Sequence, residues 1–271
     1  MIRVLQISDP HFGTQQPRVM AAALALGRQQ TPDLVILSGD ITQRARRGQF
    51  AAARHFVDQF HAPLLAVPGN HDLPLFNLFA RLLNPYGNYR RAFGRNLEPE
   101  FETDQLLVVG VNSTRPGRHK DGEVSASQIE RVAARLSQAR PQQLRMVVLH
   151  HPVRAAEASD TSNLLLGREQ AIPAWVDAGM DVVLGGHIHL PYVLPLYGRD
   201  GEAGRRAWTV QAGTALSRRT RGEVSNSVNL ISYQPGNGAA HCTLERWDYD
   251  AAADGCFHPR QRTTLALNRP S

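Results

Sequence analysis

The stretch "VLQISDPHFG", residues 4–13, decides how this chain is read. Residues 4–7 are mostly branched aliphatics and predict a short buried strand, and Asp9 and His11 follow as soon as it ends. The same pattern recurs four times. The apolar run at 34–37 leads into Ser38-Gly39-Asp40, and 64–67 leads into Gly69-Asn70-His71-Asp72. Residues 146–149 lead into His150-His151, and 182–184 into Gly185-Gly186-His187-Ile188-His189. In open α/β sheets ligands bind beyond the carboxyl ends of the strands, which is where these polar residues fall.

Amphipathic stretches at 17–28, 49–60, 75–83, 125–137 and 168–178 predict helices between the strands, with a further strand at 106–111. Ser125 and Gln128 ahead of Ile129 have the form of a capping box. This alternation predicts an α/β layered fold. After Gly186 the helices cease, and runs at 192–196, 207–211, 227–233 and 241–247 read as antiparallel strands closing a second sheet. The chain is expected to form one domain over residues 1–248, with 249–271 as an extended or poorly ordered tail. Residues 73–91, with Phe76, Phe79, Leu82, Tyr86 and Tyr89, read as a core-facing helix and loop or as a lid over a substrate, the first being favoured.

Of 271 residues, 42% are hydrophobic and 20% charged, as in an ordinary globular protein. No apolar run reaches the roughly 20 residues of a membrane span, and the N-terminus lacks a secretory pattern, so the expected location is cytoplasmic. The formal charge is +6, and Lys120 is the only lysine among 30 basic residues. An arginine-rich composition explains that balance without a nucleic-acid partner. The clusters Arg44-Ala45-Arg46-Arg47 and Arg218-Arg219-Thr220-Arg221 nevertheless offer contacts for a phosphate-bearing substrate. Cys242 and Cys256 stand apart from the polar strand ends and are expected as reduced thiols.

Six of the eleven histidines fall in the five loops after the strands. Imidazole, carboxylate and amide donors suit divalent Zn, Mn or Fe, and the lack of cysteine among them excludes a structural zinc finger. The ordered set Asp9-x-His11, Gly39-Asp40, Gly69-Asn70-His71-Asp72, His150 and Gly186-His187-x-His189 resembles the calcineurin-like metallophosphoesterases over about residues 3–190. The resemblance implies a two-sheet αββα sandwich with a dinuclear metal centre at the C-terminal ends of the strands. It implies Asp9, His11 and His189 on one ion, Asn70, His150 and His187 on the other, and Asp40 bridging them. His187 and His189 would thus part company, with Gly185 and Gly186 as the bend before them. His71 would stand beside the ions, a catalytic residue that protonates the leaving alkoxide or hydrogen-bonds the phosphoryl oxygens. Asp72 would orient its neighbours, and His151 would pack.

Two ions held roughly 3.5–4 Å apart clamp a phosphoryl group and generate a bridging hydroxide nucleophile. Segments 111–125 and 212–231 resemble those of bacterial cyclic-nucleotide phosphodiesterases, so Asn112, Arg115 and Arg218 are candidate substrate contacts. The expected activity is hydrolysis of a small phosphodiester, with a phosphomonoesterase or a nuclease as the rivals. A non-catalytic interaction scaffold is the rival from another class, disfavoured because every donor position is filled.

Overall fold

The computed structural model describes residues 1–236 and 241–268. Its strands are β1 (Ile2–Ile7), β2 (Leu34–Ser38), β3 (Leu64–Val67), β4 (Glu100–Glu102), β5 (Leu106–Gly110) and β6 (Leu144–Val148). They continue with β7 (Val182–Gly185), β8 (Tyr192–Tyr197), β9 (Arg206–Gln211), β10 (Ser227–Gln234), β11 (His241–Asp250) and β12 (Cys256–Leu265). The helices are α1 (Pro17–Gln30), α2 (Arg47–Asp58), α3 (Leu78–Leu83), α4 (Gly87–Phe93), α5 (Ala126–Ser137) and α6 (Arg168–Asp177).

Two six-stranded sheets form, in the orders β12-β11-β10-β1-β2-β3 and β4-β5-β6-β7-β9-β8. β1, β2 and β3 run parallel, as do β5, β6, β7 and β9, so the carboxyl ends of five strands meet at one end of the molecule. The alternation of side chains along each strand builds the layers. Val4, Leu34, Ile36 and Val67 face Val108, Met146, Val148, Val182 and Leu184 between the sheets. Leu5, Ile7, Val35 and Leu37 point the other way, onto Val19, Leu26, Phe50 and Phe56 of α1 and α2. Leu107, Val109, Val147 and Val183 do the same against Val132 and Leu136 of α5 and Trp175 of α6. The result is the αββα sandwich expected from the sequence.

Ser125 caps α5 as its sequence predicts, accepting from Gln128 N at 3.2 Å while Gln128 Oε1 accepts from Ser125 N at 2.9 Å. Among the described residues no helix is long and apolar enough to cross a membrane. The two cysteines lie at opposite ends of the β11–β12 hairpin, Cys242 opposite Leu265 and Cys256 opposite Asp250.

Three expectations need correction. The strands after Gly186 do not all close the second sheet: β8 and β9 join it, with β9 parallel to β7, whereas β10 and β11 extend the first sheet from β1. Residues 75–83 do not face the core: α3 is only six residues long, and its apolar side chains stand in solvent. Residues from 249 onward are not a loose tail. β11 runs to Asp250, and β12 pairs with it along its whole length to close one edge of the first sheet. Only residues 269–271 of that segment lie outside the described residues. β12 escapes notice because it buries few apolar side chains, chiefly Phe257 and Leu265, and carries arginines and Pro259, as edge strands do.

A chain stopped after Asp254 is therefore expected to lose more than fraying ends would cost. Burying Phe257 and Leu265 contributes about 1.5–3 kcal/mol each, and removal of β12 leaves the ten residues of β11 as a bare edge. Urea unfolding should show a fall of at least about 3 kcal/mol, with aggregation on refolding. An unchanged midpoint would mean that β12 contributes nothing.

Candidate metal centre

The carboxyl ends of β1, β2, β3, β6 and β7 bring Asp9, His11, Asp40, Asn70, His71, His150, His187 and His189 together. Asp9, His11 and His189 form one group: His11 Nε2 is 3.1 Å from His189 Nε2, and Asp9 Oδ1 is 3.2 Å from His189 Nε2. His150, His151 and His187 form the other, with the ring centroids of His150 and His187 5.1 Å apart. Asp40 stands between them. Its Oδ1 is 3.3 Å from His150 Nε2 and its Oδ2 3.7 Å from His11 Nε2, so its two oxygens face opposite groups.

The backbone is strained where these donors sit. Asp9, His11, Asp40, His187 and His189 all adopt positive φ, between 43° and 74°. Only Thr31, Ala45 and His61 do so among the other described non-glycine residues. Residues in this region cost energy and gather at functional sites. The left-handed bends thus fall on His187 and His189 themselves, whereas the sequence pattern suggested a bend at the glycines before them. Gly185 ends β7, and Gly186 serves close approach instead, since a Cβ there would lie 2.1 Å from Ser8 Oγ and 2.3 Å from Asp9 Oδ2. It lets the last loop close onto the first, where His187 N donates to Asp9 Oδ2 at 3.1 Å.

Backbone carbonyls fix the imidazoles. His150 Nδ1 donates to Ser38 O at 2.9 Å, His189 Nδ1 to Arg219 O at 2.5 Å and His71 Nδ1 to Gln43 O at 3.0 Å. A carbonyl only accepts, so each ring keeps its proton on Nδ1 and turns the Nε2 lone pair inward, as histidine ligands of metals do. Asn70 Oδ1, His150 Nε2 and His187 Nδ1 are buried without a hydrogen-bond partner. Buried polar atoms are costly when unsatisfied, and these three donors belong to one expected ion. The donor set fits divalent cations.

Charge agrees with that fit. Burial opposes ionisation of Asp9, but His189 beside it brings its pKa down to about 2. Burial likewise opposes ionisation of Asp40, and the imidazoles of His150 and His71 hold it well below the carboxylate range. Burial favours neutral His150, yet Asp40 raises it to about 9. Burial and the charge of His150 lower His187 to about 4. Protons and cations compete here for the same lone pairs.

Asp72 orients rather than binds. Its carboxylate accepts from the backbone N–H of Gly69, Ile41 and Thr42 at 2.8–3.0 Å and from the Thr42 hydroxyl at 2.9 Å, stapling the Asn70 turn to the Asp40 loop. His151 packs: both ring nitrogens are engaged, by Ser113 Oγ at 2.8 Å and Lys120 O at 2.9 Å.

A cavity of about 380 Å³ opens over the donors, with Lys120, Asp160, Asn163, Arg219 and Arg221 on its walls. Arg219 Nη1 reaches His71 Nε2 at 3.1 Å and approaches His11 Nδ1 at 3.4 Å. The three expected substrate contacts are not on these walls. Asn112 is tied up with Tyr86 and Thr114, and Arg115 with the Asn112 and Thr114 carbonyls and Gln128, while the Arg218 side chain is exposed to solvent beside the cavity-lining Arg219. Of the two arginine clusters in the sequence, 218–221 reaches this cavity through Arg219 and Arg221. The 44–47 cluster lines a different one. Lys120 carried no signal as a substrate contact in the sequence, and Arg219 carried one only as a member of the 218–221 cluster.

Residues 2–191 match the family model of the calcineurin-like phosphoesterases. The chain is 28% identical over 203 residues to a probable cyclic nucleotide phosphodiesterase of a Synechococcus species, covering 71% of this chain and 75% of that protein. It is 26% identical over 157 residues to the glycerophosphodiester phosphodiesterase GpdQ of Enterobacter lignolyticus, covering 54% of this chain and 55% of that one, about half its length. A dimetal phosphatase structure from Danio rerio superposes with a TM-score of 0.65 at 13% identity, covering 98% of this chain and 99% of that one, and shows the same fold.

Replacing Asp72 by alanine should leave three buried N–H groups unpaired, at about 1–3 kcal/mol each. Urea unfolding is expected to show a loss of at least about 3 kcal/mol, and elemental analysis a fall in manganese retained per chain. Full retention of both would show that the staple is dispensable.

Proposed function

We propose that this chain, which belongs to the calcineurin-like phosphoesterase family, is a dimetal phosphodiesterase acting on a small diester such as a cyclic nucleotide or a glycerophosphodiester. One observation carries the reading: Asp40, Asn70, His187 and His189, from clusters that could hold cations, line a cavity of small-ligand size whose walls add Lys120 and Arg219. The relatives named as cyclic nucleotide and glycerophosphodiester phosphodiesterases support diesters over monoesters. A nucleic acid would call for a track of several phosphate contacts, which argues against a nuclease.

Asp9, His11 and His189 would hold one ion, Asn70, His150 and His187 the other, and Asp40 would bridge them. Bound there, two divalent cations (Mn, Fe or Zn) supply Lewis acidity, neutralising phosphoryl charge and acidifying water. The chain's own residues do the rest. Arg219 and Lys120 are placed to hold the phosphoryl oxygens that the cations leave free. Arg221 contributes less charge, because Asp160 and Glu157 neutralise it at 2.9 and 2.7 Å. His71, anchored through Nδ1 to Gln43, takes a proton on Nε2. Water oxygen bonds to phosphorus as the ester P–O bond breaks, and His71 gives its Nε2 proton to the leaving alkoxide and regains one from the attacking water.

Three variants separate these roles. Asn70→Ala should retain fewer ions per chain and lose activity with them. His71→Ala should retain both ions yet turn over about 100-fold more slowly, the contribution of a general acid. Arg219→Ala should raise KM for the diester about tenfold or more. Manganese-loaded protein should hydrolyse bis(p-nitrophenyl) phosphate faster than p-nitrophenyl phosphate. The reverse order would overturn the diesterase reading, and full metal occupancy in Asn70→Ala would overturn the donor assignment.

A further inference from the structure

Outside the donor cavity, the region with the least conventional surface is the segment after Asp72. Phe76, Phe79, Leu82 and Leu83 are 77%, 81%, 82% and 78% exposed, with Leu78 at 70%. Single exposed apolar residues are ordinary, but a contiguous set of large ones on one short helix marks an interaction surface. The segment is not loosely attached. Arg81, buried beneath it, donates through its guanidinium to the carbonyls of Pro74, Pro116 and Arg118 at 2.6–2.9 Å, so the apolar side chains are held outward on an anchored base.

The chain segment that carries this ridge is basic, although on the side where Arg81 anchors it Arg118 is paired with Glu123 at 2.8 Å. From residue 41 to 97 the sequence has eight arginines and two acids, Asp58 and Asp72. Asp72 is buried in its staple, and Asp58 pairs with Arg54 at 2.6 Å. Arg44, Arg46 and Arg47 line a cavity of about 570 Å³ together with Leu75 and Phe76, and the Arg44 guanidinium lies 4.9 Å from the centre of the Phe76 ring. Arg47 and Arg91 line the adjoining depression on the far side of Asn88.

We infer that the α3 ridge and its arginine border form a docking surface for an anionic lipid membrane. Protruding Leu and Phe side chains enter the acyl boundary while arginines stay at the level of the acidic headgroups, as in amphipathic membrane-surface segments. A second copy of the chain is the poorer partner. A two-fold interface would bring this patch onto itself, arginine against arginine. An acidic protein would match the charge, but side chains that stand out by four-fifths of their surface suit a fluid acyl layer better than a preformed pocket. The carbonyl of Arg118 anchors the ridge through Arg81, and two residues further along the chain Lys120 lines the donor cavity, so a docked ridge is mechanically continuous with the substrate site.

Flotation of the full-length protein with vesicles tests this. Phosphatidylglycerol vesicles should carry the protein up and pure phosphatidylcholine should not, and 0.5 M salt should reduce binding. The double variant Phe79→Ser/Leu82→Ser should lower partitioning about tenfold or more, and Arg46→Glu/Arg47→Glu should do likewise. Both should keep their rate on bis(p-nitrophenyl) phosphate, which shows that they fold. Equal recovery on the two lipids, or partitioning unchanged in both variants, would overturn the proposal. So would sedimentation equilibrium showing a dimer that Phe79→Ser/Leu82→Ser dissociates, or binding of acidic protein in place of phosphatidylglycerol vesicles.

Discussion

The cluster at the carboxyl ends exists only because two sheets are held at a fixed spacing, and one buried amide spans that gap. Gln6 of β1 donates through Nε2 to Ser38 Oγ on β2 at 2.9 Å and to Gly185 O on β7, across the gap, at 3.0 Å. Its Oε1 accepts from Asn229 of β10 at 2.9 Å. Apolar packing between the sheets fixes their separation only loosely, since it has no direction. A fully hydrogen-bonded buried amide adds direction and register. It matters because the donors are divided: Asp9, His11, Asp40 and Asn70 come from one sheet, His150, His187 and His189 from the other.

Close approach at that gap explains which small residues are needed. Gly39, at φ +90°, faces the His150 ring so closely that a Cβ would sit 2.3 Å from Nδ1. With Gly186 against Asp9, it lets loops of opposite sheets touch. Left-handed backbone at five Asp and His positions is the other half of this arrangement. The sheets over-determine the loops, so the strain persists.

Much of this was legible beforehand, for a physical reason. Buried parallel strands have to be short aliphatic runs, and a donor that ends such a run announces itself, so Asp9 through His189 could be read directly. Residues whose role depends on folding distant segments together could not. Arg219 differs from Arg218 only in the direction a loop turns its side chain. β12 borrows its strand geometry from β11. α3 broke a sound rule, because its apolar spacing is that of a core helix and nothing local says that its face is left uncovered.

His11 and His189 lie 3.1 Å apart in space and 178 positions apart in sequence. No local segment can gather the donors, so the cluster is assembled late. A chain emerging from the ribosome presents Asp9 and His11 long before the strand that carries His187 and His189, and the carbonyl of Arg219 that orients His189 comes later still. Closing so long a loop is slow and follows formation of the sheets. A cation held by this cluster would need both sheets in place, and an incomplete chain would offer it no competent trap.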